Sequence, residues 1–550
     1  MYYACLAGDC TNHDYLISIH SQVMTQQQNT ILIKSLQNKA LYDHTVLRFE
    51  VFETHISWVI LTGPYAYKIK KPVNLGFLDF STLDKRRFYC EEEVRLNRRL
   101  APQLYIGMVR ITGDPERPQL EGAGPAIEYA VKMHQFDQST QLDRMLSGNL
   151  LTPEHIDRVA EILAEFHRTA DVAAKSMIFG TPDAITNPVM ENFYQIQPLL
   201  SDKQEIKQLQ RIRQWSERTH RHLARNFRSR KEHGFIRECH GDMHLANIAL
   251  YRNDIVIFDC LEFNDNLRWV DVMSEAAFLM MDLDKHGYHP LACRFLNGYL
   301  QYTGDYECLT LLPYYLVYRA MVRAKVACIR QAQAGLQQTE KDNAQKQYRN
   351  YLNLAEQYTC QQPAALIITH GLSGSGKTTI TQLLLERCGA VRVRSDIERK
   401  RLYGLSAGQK SQSGIDTGLY TAQASEQTYQ HLAHLAGAIL AAGYPAIIDA
   451  AFLKSDQRNI FQALAEKTGV PYIILDFQAP EALLRKWIIE RAKQAHDASE
   501  ADIPVLEHQL ATQEPLTQEE LEYSLTVNTG QSLDMDELAD TLRRSIKENG

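Results

Sequence analysis

Chemistry enters this sequence most plainly in the run GLSGSGKTT, which holds Gly371, Ser373, Gly374, Ser375, Gly376, Lys377, Thr378 and Thr379. An apolar stretch from Ala364 to His370 precedes it, and Ile380, Leu383, Leu384 and Leu385 follow at helical spacing. Strand, glycine-rich turn and helix in that order are what the pattern G-x-x-x-x-G-K-[ST] needs to cradle phosphate. The glycines let successive backbone N–H groups converge on one anion at the positive end of a helix. Lys377 would reach the β- and γ-phosphates, and the Thr378 hydroxyl would ligate Mg2+. The chain is therefore expected to bind a nucleoside triphosphate, ATP, with Mg2+.

A second constellation lies upstream. His240, Gly241, Asp242, His244 and Asn247 precede a strand-like run from Ile255 to Asp259. Asp242 and Asn247 stand five apart and Asp259 closes the next strand, the layout of a kinase catalytic loop followed by a metal-binding aspartate. One carboxylate must take or orient the acceptor's hydroxyl proton. An amide oxygen and a second carboxylate must hold a cation against phosphates that carry dispersed negative charge. Nearer the N-terminus, Lys68 and Lys70 share one face of an alternating strand, opposite Tyr67 and Ile69. A charged helical stretch from Asp84 to Leu100 follows, with Glu91, Glu92 and Glu93. A sheet lysine facing a helix glutamate is how kinases hold α- and β-phosphates; the same pattern also describes solvated side chains.

These residues need scaffolding. At 550 residues the chain exceeds one core, so two or three domains are expected. A net charge of -7 argues against a general nucleic-acid or membrane-surface role. No run approaches the ~18 apolar residues of a membrane span, and the first residues lack a secretory pattern. Ten scattered cysteines without a C-x-x-C pair suit a reducing cytosol, so a cytoplasmic protein is expected. Residues 1–28 are polar and patternless, and a disordered tail is expected there, with Met24 as an alternative start. Residues 45–72 read as strands. In the helical stretch 203–232, Arg211, Arg218 and Arg225 fall seven apart, with Arg221 and Arg228 three residues after the second and third, a solvated face or a landing strip for an acidic ligand. Residues 336–363 read as a helical linker between a domain at 29–335 and another at 364–550. In the latter, strands and helices alternate, which means a doubly wound parallel sheet with ligands at its strand carboxyl ends. Asp396 and Asp449 land there, as site carboxylates or as helix caps.

His240 to Asn247, with Phe258 and Asp259, resembles the aminoglycoside phosphotransferase family, the small-molecule branch of the protein-kinase-like fold, over roughly residues 45–335. The resemblance implies a bilobal domain with Lys68 on nucleotide phosphates, paired with Glu93 or its neighbour Glu92. It makes Asp242 the catalytic base and Asn247 and Asp259 the metal ligands. One departure is plain: Glu53 to Ser57 contains no glycine where protein kinases carry a glycine-rich loop. Residues 364–548 resemble small P-loop kinases of the AAA-domain group, similar in layout to gluconate kinase, polynucleotide kinase and zeta-toxin kinases. That resemblance puts Asp396 on the acceptor hydroxyl, Asp449 at the Walker B place, and Arg491, ahead of Arg485, on the transferring phosphate. The expected fold is α/β and α+β, a bilobal kinase-like domain followed by a P-loop domain. The expected activity is bifunctional transfer of the ATP γ-phosphate to hydroxyl groups of small molecules. A nucleotide-binding regulator and a nucleic-acid end kinase stay open as alternatives, with nucleic acid the less favoured partner.

Overall fold

In a computed structural model of the protein, residues 26–76, 78–333, 335–360, 363–407, 409–411, 417–492 and 500–548 are described. Most of the expected tail, residues 1–25, lies outside them; Gln26 opens the helix Gln26–Ser35.

The first sheet is antiparallel. Its strands are β1 (Glu50–Glu53), β2 (Ser57–Leu61), β3 (Tyr65–Lys70), β4 (Tyr105–Asp114), β5 (Arg117–Leu120) and β6 (Ala126–His134), ordered β1-β2-β3-β6-β4-β5. The central strand β3 alternates in sequence but is buried along nearly its whole length, because both faces are covered. Tyr67 and Ile69 pack with Ile60, Ile111, Ala130 and with Leu32, Ile33 and Leu36 of the Gln26–Ser35 helix. The other face carries Lys68 and Lys70. Opposite them runs the helix Leu83–Asn97, started by Thr82, whose side chain accepts from the Lys85 amide. Its buried stripe of Arg86, Cys90, Glu93, Val94 and Asn97 returns at helical spacing.

Two short antiparallel pairs carry the next residues of interest. β7 (Ile236–Glu238) pairs with β10 (Trp269–Asp271), and β8 (Ile248–Tyr251) pairs with β9 (Asp254–Ile257). The run from Cys239 to Asn247 links β7 to β8, and Asp259 follows β9. Asp271 is structural: Arg230 donates to both its carboxylate oxygens at 2.6 and 2.8 Å.

The remaining five-stranded sheet is wholly parallel. Its strands β11 (Leu366–His370), β12 (Val391–Arg394), β13 (Ala446–Asp449), β14 (Tyr472–Gln478) and β15 (Ser524–Asn528) stand in the order β12-β13-β11-β14-β15. Their apolar runs sit between helices, as a parallel sheet requires. Among the described residues no helix is long and apolar enough to cross a membrane.

Compactness divides the chain into two units. One comprises the described residues up to Thr152 with Thr169–Asp282 and Tyr318–Ala355; the other comprises Pro153–Arg168, Leu283–Val317 and the described residues from Glu356 onward. The limits expected from sequence, 29–335, 336–363 and 364–550, stand as a proposal beside this division. The second unit shows why it recruits upstream helices. β12 is an edge strand, and an edge leaves backbone groups unpaired. Asn297, on the helix His289–Thr303, accepts from the Arg392 amide at 2.8 Å and donates to the Ala390 carbonyl at 3.0 Å. One buried side-chain amide thus acts as a short extra strand. Arg294 on the same helix donates to Asp157 and to Glu386.

Replacing Asn297 by leucine removes both bonds. The expected loss is about 1–3 kcal/mol for each group left unpaired, read as a lower midpoint of chemical unfolding. An unchanged midpoint would contradict the edge-capping role.

Candidate phosphoryl-transfer sites

In the first unit, β3 and the Leu83–Asn97 helix bring Lys68 and Glu93 together. Lys68 Nζ lies 2.8 Å from Glu93 Oε1 and 2.6 Å from Asp259 Oδ1. Lys68 and Glu93 are buried, Glu93 completely, while Asp259 stays partly open to solvent. Burial favours a neutral amine, but Asp259, Glu93 and Glu262 outweigh it and hold Lys68 charged well above the usual lysine range. Burial likewise opposes ionisation of Asp259, yet Lys68 keeps its carboxyl below the usual range. Glu92, the alternative partner, instead pairs with Arg95 on its own helix.

Asp259 has φ 63°, a left-handed conformation that a residue other than glycine holds only where its surroundings fix it. Three contacts do so. Its amide donates to the Tyr105 hydroxyl at 3.3 Å, the next amide, Cys260, donates to Asn97 Oδ1 at 2.9 Å, and Lys68 grips its carboxylate. Asn97 in turn donates to the Glu93 carbonyl, so helix and strand end are tied together.

Asp242 and Asn247 converge beside them. Asn247 Nδ2 donates to the Asp242 carbonyl at 3.0 Å and to its Oδ2 at 3.2 Å. His244 Nε2 stands 3.4 Å from the same oxygen. Burial would raise the Asp242 pKa, but the neighbouring His244, with Arg323 contributing less, draws the carboxyl well below its usual range, so it is ionised at neutral pH. Around the loop, the Gly241 amide donates to Glu275 at 2.6 Å, and His240 Nε2 meets the Phe258 carbonyl at 2.8 Å.

In the second unit the phosphate loop follows β11 and opens the helix Lys377–Cys388. Gly371 and Gly374 have φ 145° and 82°, and a Cβ there would lie 2.7 Å from the Phe477 carbonyl oxygen and 2.9 Å from Ile488 Cγ1. No other residue fits either position without displacing its neighbour. Gly376, at φ 81°, precedes the helix. Lys377 folds back over its loop, donating to the carbonyls of Gly371 at 2.8 Å and Leu372 at 2.7 Å, with Ser375 Oγ at 3.4 Å. Burial pushes its ammonium down to about 8, with Asp449 opposing, Arg491 reinforcing and Asp396 opposing more weakly.

Asp449 ends β13, and its Oδ2 is buried with no hydrogen-bond partner among the described residues. A buried carboxylate oxygen left open near the Lys377 ammonium suits a divalent cation. Asp396 opens the helix Ser395–Leu402 and is held by Arg394 at 2.8 Å. Arg491 Nη2 donates to the Ala501 carbonyl at 2.7 Å. Arg485 is engaged at the surface by Glu481 and Glu507. The Ser373 amide donates to Gln509 Oε1 at 2.9 Å, and Thr379 is exposed.

Several participants escaped the sequence reading. Lys70 joins Glu93 from the other side at 2.6 Å and contacts Glu262. Its shared strand face with Lys68 was a visible signal. Arg392 donates to the Thr378 carbonyl at 2.8 Å and to Thr381 and Gln382, fixing the first turn after the loop; nothing local distinguished it from Arg394. On the helix Lys203–Glu232, Arg211, Arg218, Arg221, Arg225 and Arg228 are all exposed.

This is a kinase-like domain followed by a P-loop domain, and the comparisons agree. Residues 89–312 match the phosphotransferase enzyme family and residues 366–516 match an AAA domain. An uncharacterized protein of Mycobacterium tuberculosis is 30% identical over 450 residues, covering 82% of this chain and 88% of that protein, and one of Mycobacterium bovis matches equally. The chain belongs to the family of these mycobacterial proteins, and it is an ATP-dependent phosphotransferase. Among solved structures, amicoumacin kinase hAmiN is 11% identical over 61% of this chain and 96% of its own, with a TM-score of 0.36. A sugar kinase from Janibacter is 21% identical over 34% of this chain and 95% of its own, with a TM-score of 0.27. Likenesses of that strength bear on neither substrate nor mechanism.

Lys377 supplies a signature. A bound triphosphate gives its ammonium the counter-charge that burial withholds, so binding should take up a proton above pH ~8 and weaken as pH rises, by at most roughly tenfold per unit. Calorimetry on Lys68→Met protein at about pH 9, in buffers of different ionisation enthalpy, reads that uptake. Binding without proton uptake there would contradict the assignment.

Proposed function

We propose that each unit moves the γ-phosphoryl group of ATP to a hydroxyl of a small molecule, making the chain a two-site kinase. The observation that carries the reading is the close meeting of Lys68 with Glu93 and Asp259, in the unit where Asn247 holds Asp242.

In the first unit Asp242 is the base. Its ionised carboxylate accepts the proton of the attacking hydroxyl as the new oxygen–phosphorus bond forms. The bond from γ-phosphorus to the bridging oxygen breaks, and ADP leaves with that electron pair. Lys68 turns from Asp259 to the nucleotide phosphates, steadied by Glu93. Asn247 and Asp259 would hold Mg2+, which when bound neutralises phosphate charge. In the second unit Lys377 swings from the Gly371 and Leu372 carbonyls to the β- and γ-phosphates. Thr378 and Asp449 would hold the cation, and the open Asp449 oxygen supports that role. Asp396 orients the acceptor hydroxyl once Arg394 yields, and Arg491 steadies charge on the transferring group. The loop from Gly371 to Thr379 supplies backbone donors, with the hydroxyls of Ser373 and Thr379 toward its outside and the buried Ser375 beside Lys377.

Asp242→Asn and Lys377→Ala test this separately. Proteins are incubated with ATP and a metabolite extract, and phosphorylated products are followed by mass spectrometry. Each change should erase a different product, with the Asp242→Asn rate down by about 10²–10⁴. Loss of one product by either change would favour a regulator in which one unit gates the other. Turnover unaffected by both changes would refute catalysis at these residues.

A further inference from the structure

We propose that Lys70 is a positioning residue for nucleotide binding in the first unit, anchoring Glu93 so that Lys68 is free to exchange Asp259 for phosphate. The inference rests on the reading of that unit as a nucleotide site and names a residue that reading does not use.

The geometry is a ladder. β3 extends Lys68 and Lys70 from one face, two residues apart, toward the segment Asp259–Glu262. Lys68 reaches Asp259 at 2.6 Å, and Lys70 reaches Glu262. Glu93 stands between the two lysines, Oε1 2.8 Å from Lys68 and Oε2 2.6 Å from Lys70. Lys70 is 1% exposed and Glu93 0%. The ring of Phe80 closes over the Lys70 ammonium at 5.0 Å. No phosphate could approach Lys70 without dismantling this packing, so it is not a second phosphate ligand.

Charge explains why it is there. Two ammonium groups face three carboxylates, those of Glu93, Asp259 and Glu262. When Lys68 turns to a phosphate, Glu93 loses half of its compensation. With Lys70 in place it keeps a buried ion pair and its position. Without Lys70, two fully buried carboxylates would face each other with a single departing cation, and one would take up a proton or move. Lys70 also ties Glu262 to β3, three residues from Asp259, and so braces the strained segment that bears the candidate metal ligand.

The test uses full-length protein with the second site silenced by Lys377→Ala and reads Mg2+–ATP affinity and thermal stability together. In that parent, Lys70→Met should weaken nucleotide binding about tenfold or more, the usual effect of losing a group that orients a ligand, and should lower Tm. Adding Glu262→Met removes the uncompensated carboxylate. The double change should recover Tm while affinity stays low, because Glu93 is still unanchored. A pH profile separates the roles further. Glu93 faces Lys68, Lys70, Asp259, Glu262, Tyr105 and Cys90. Deprived of Lys70 it should ionise less readily, so affinity in both variants should rise with pH across the acid range more steeply than in the parent.

Recovery of both Tm and affinity in the double variant would reduce Lys70 to charge compensation and overturn the proposal. So would undiminished affinity in Lys70→Met. Failure of the Lys377→Ala parent to bind nucleotide overturns the underlying reading, and is distinct because it precedes any change at Lys70.

Discussion

An ammonium group taken out of water needs an acceptor or a counter-charge at every moment. Both units are arranged around that requirement, and they meet it differently. In the first, Lys68 rests on two carboxylates and stays firmly charged. In the second, Lys377 rests on two neutral carbonyls of its own loop, and burial draws its pKa down to about 8. On the proposed reading, phosphate binding would be a partner exchange in one unit and a gain of charge in the other.

Holding such lysines ready places demands on the scaffold. The left-handed backbone at Asp259 persists because Tyr105, Asn97 and Lys68 fix it from three directions. In the second unit Arg392 reaches from β12 to the Thr378 carbonyl, so the strand that presents Asp396 also steadies the turn that presents the candidate cation ligand. That strand lies at the sheet edge, where Asn297 completes it. A helix from well upstream is therefore part of the packing that stabilises the phosphate-loop unit.

Much of this was legible in the chain. The loop from Gly371 to Thr379 announced itself because its chemistry is local: glycines, lysine and hydroxyl act from one turn. Asp242, Asn247 and Asp259 were legible for the same reason, as they fall within a short stretch of chain. The sequence alone does not separate Glu93 from Glu92, because only helix rotation decides which faces the sheet; in the fold Glu93 is the buried one. Lys68 and Lys70 were seen to share a face, but the solvated reading of that face failed: a helix covers it. Arg392 and Asn297 were invisible, since their partners lie elsewhere in the chain and neither belongs to a motif.

The central question is whether two separate pockets each grip a triphosphate. Titrating wild-type protein with a non-hydrolysable ATP analogue and Mg2+ counts them directly. Two equivalents should bind, Lys68→Met and Lys377→Ala should each lose a different one, and the double variant should bind none. A single equivalent in the wild type, lost to only one of the changes, would contradict it.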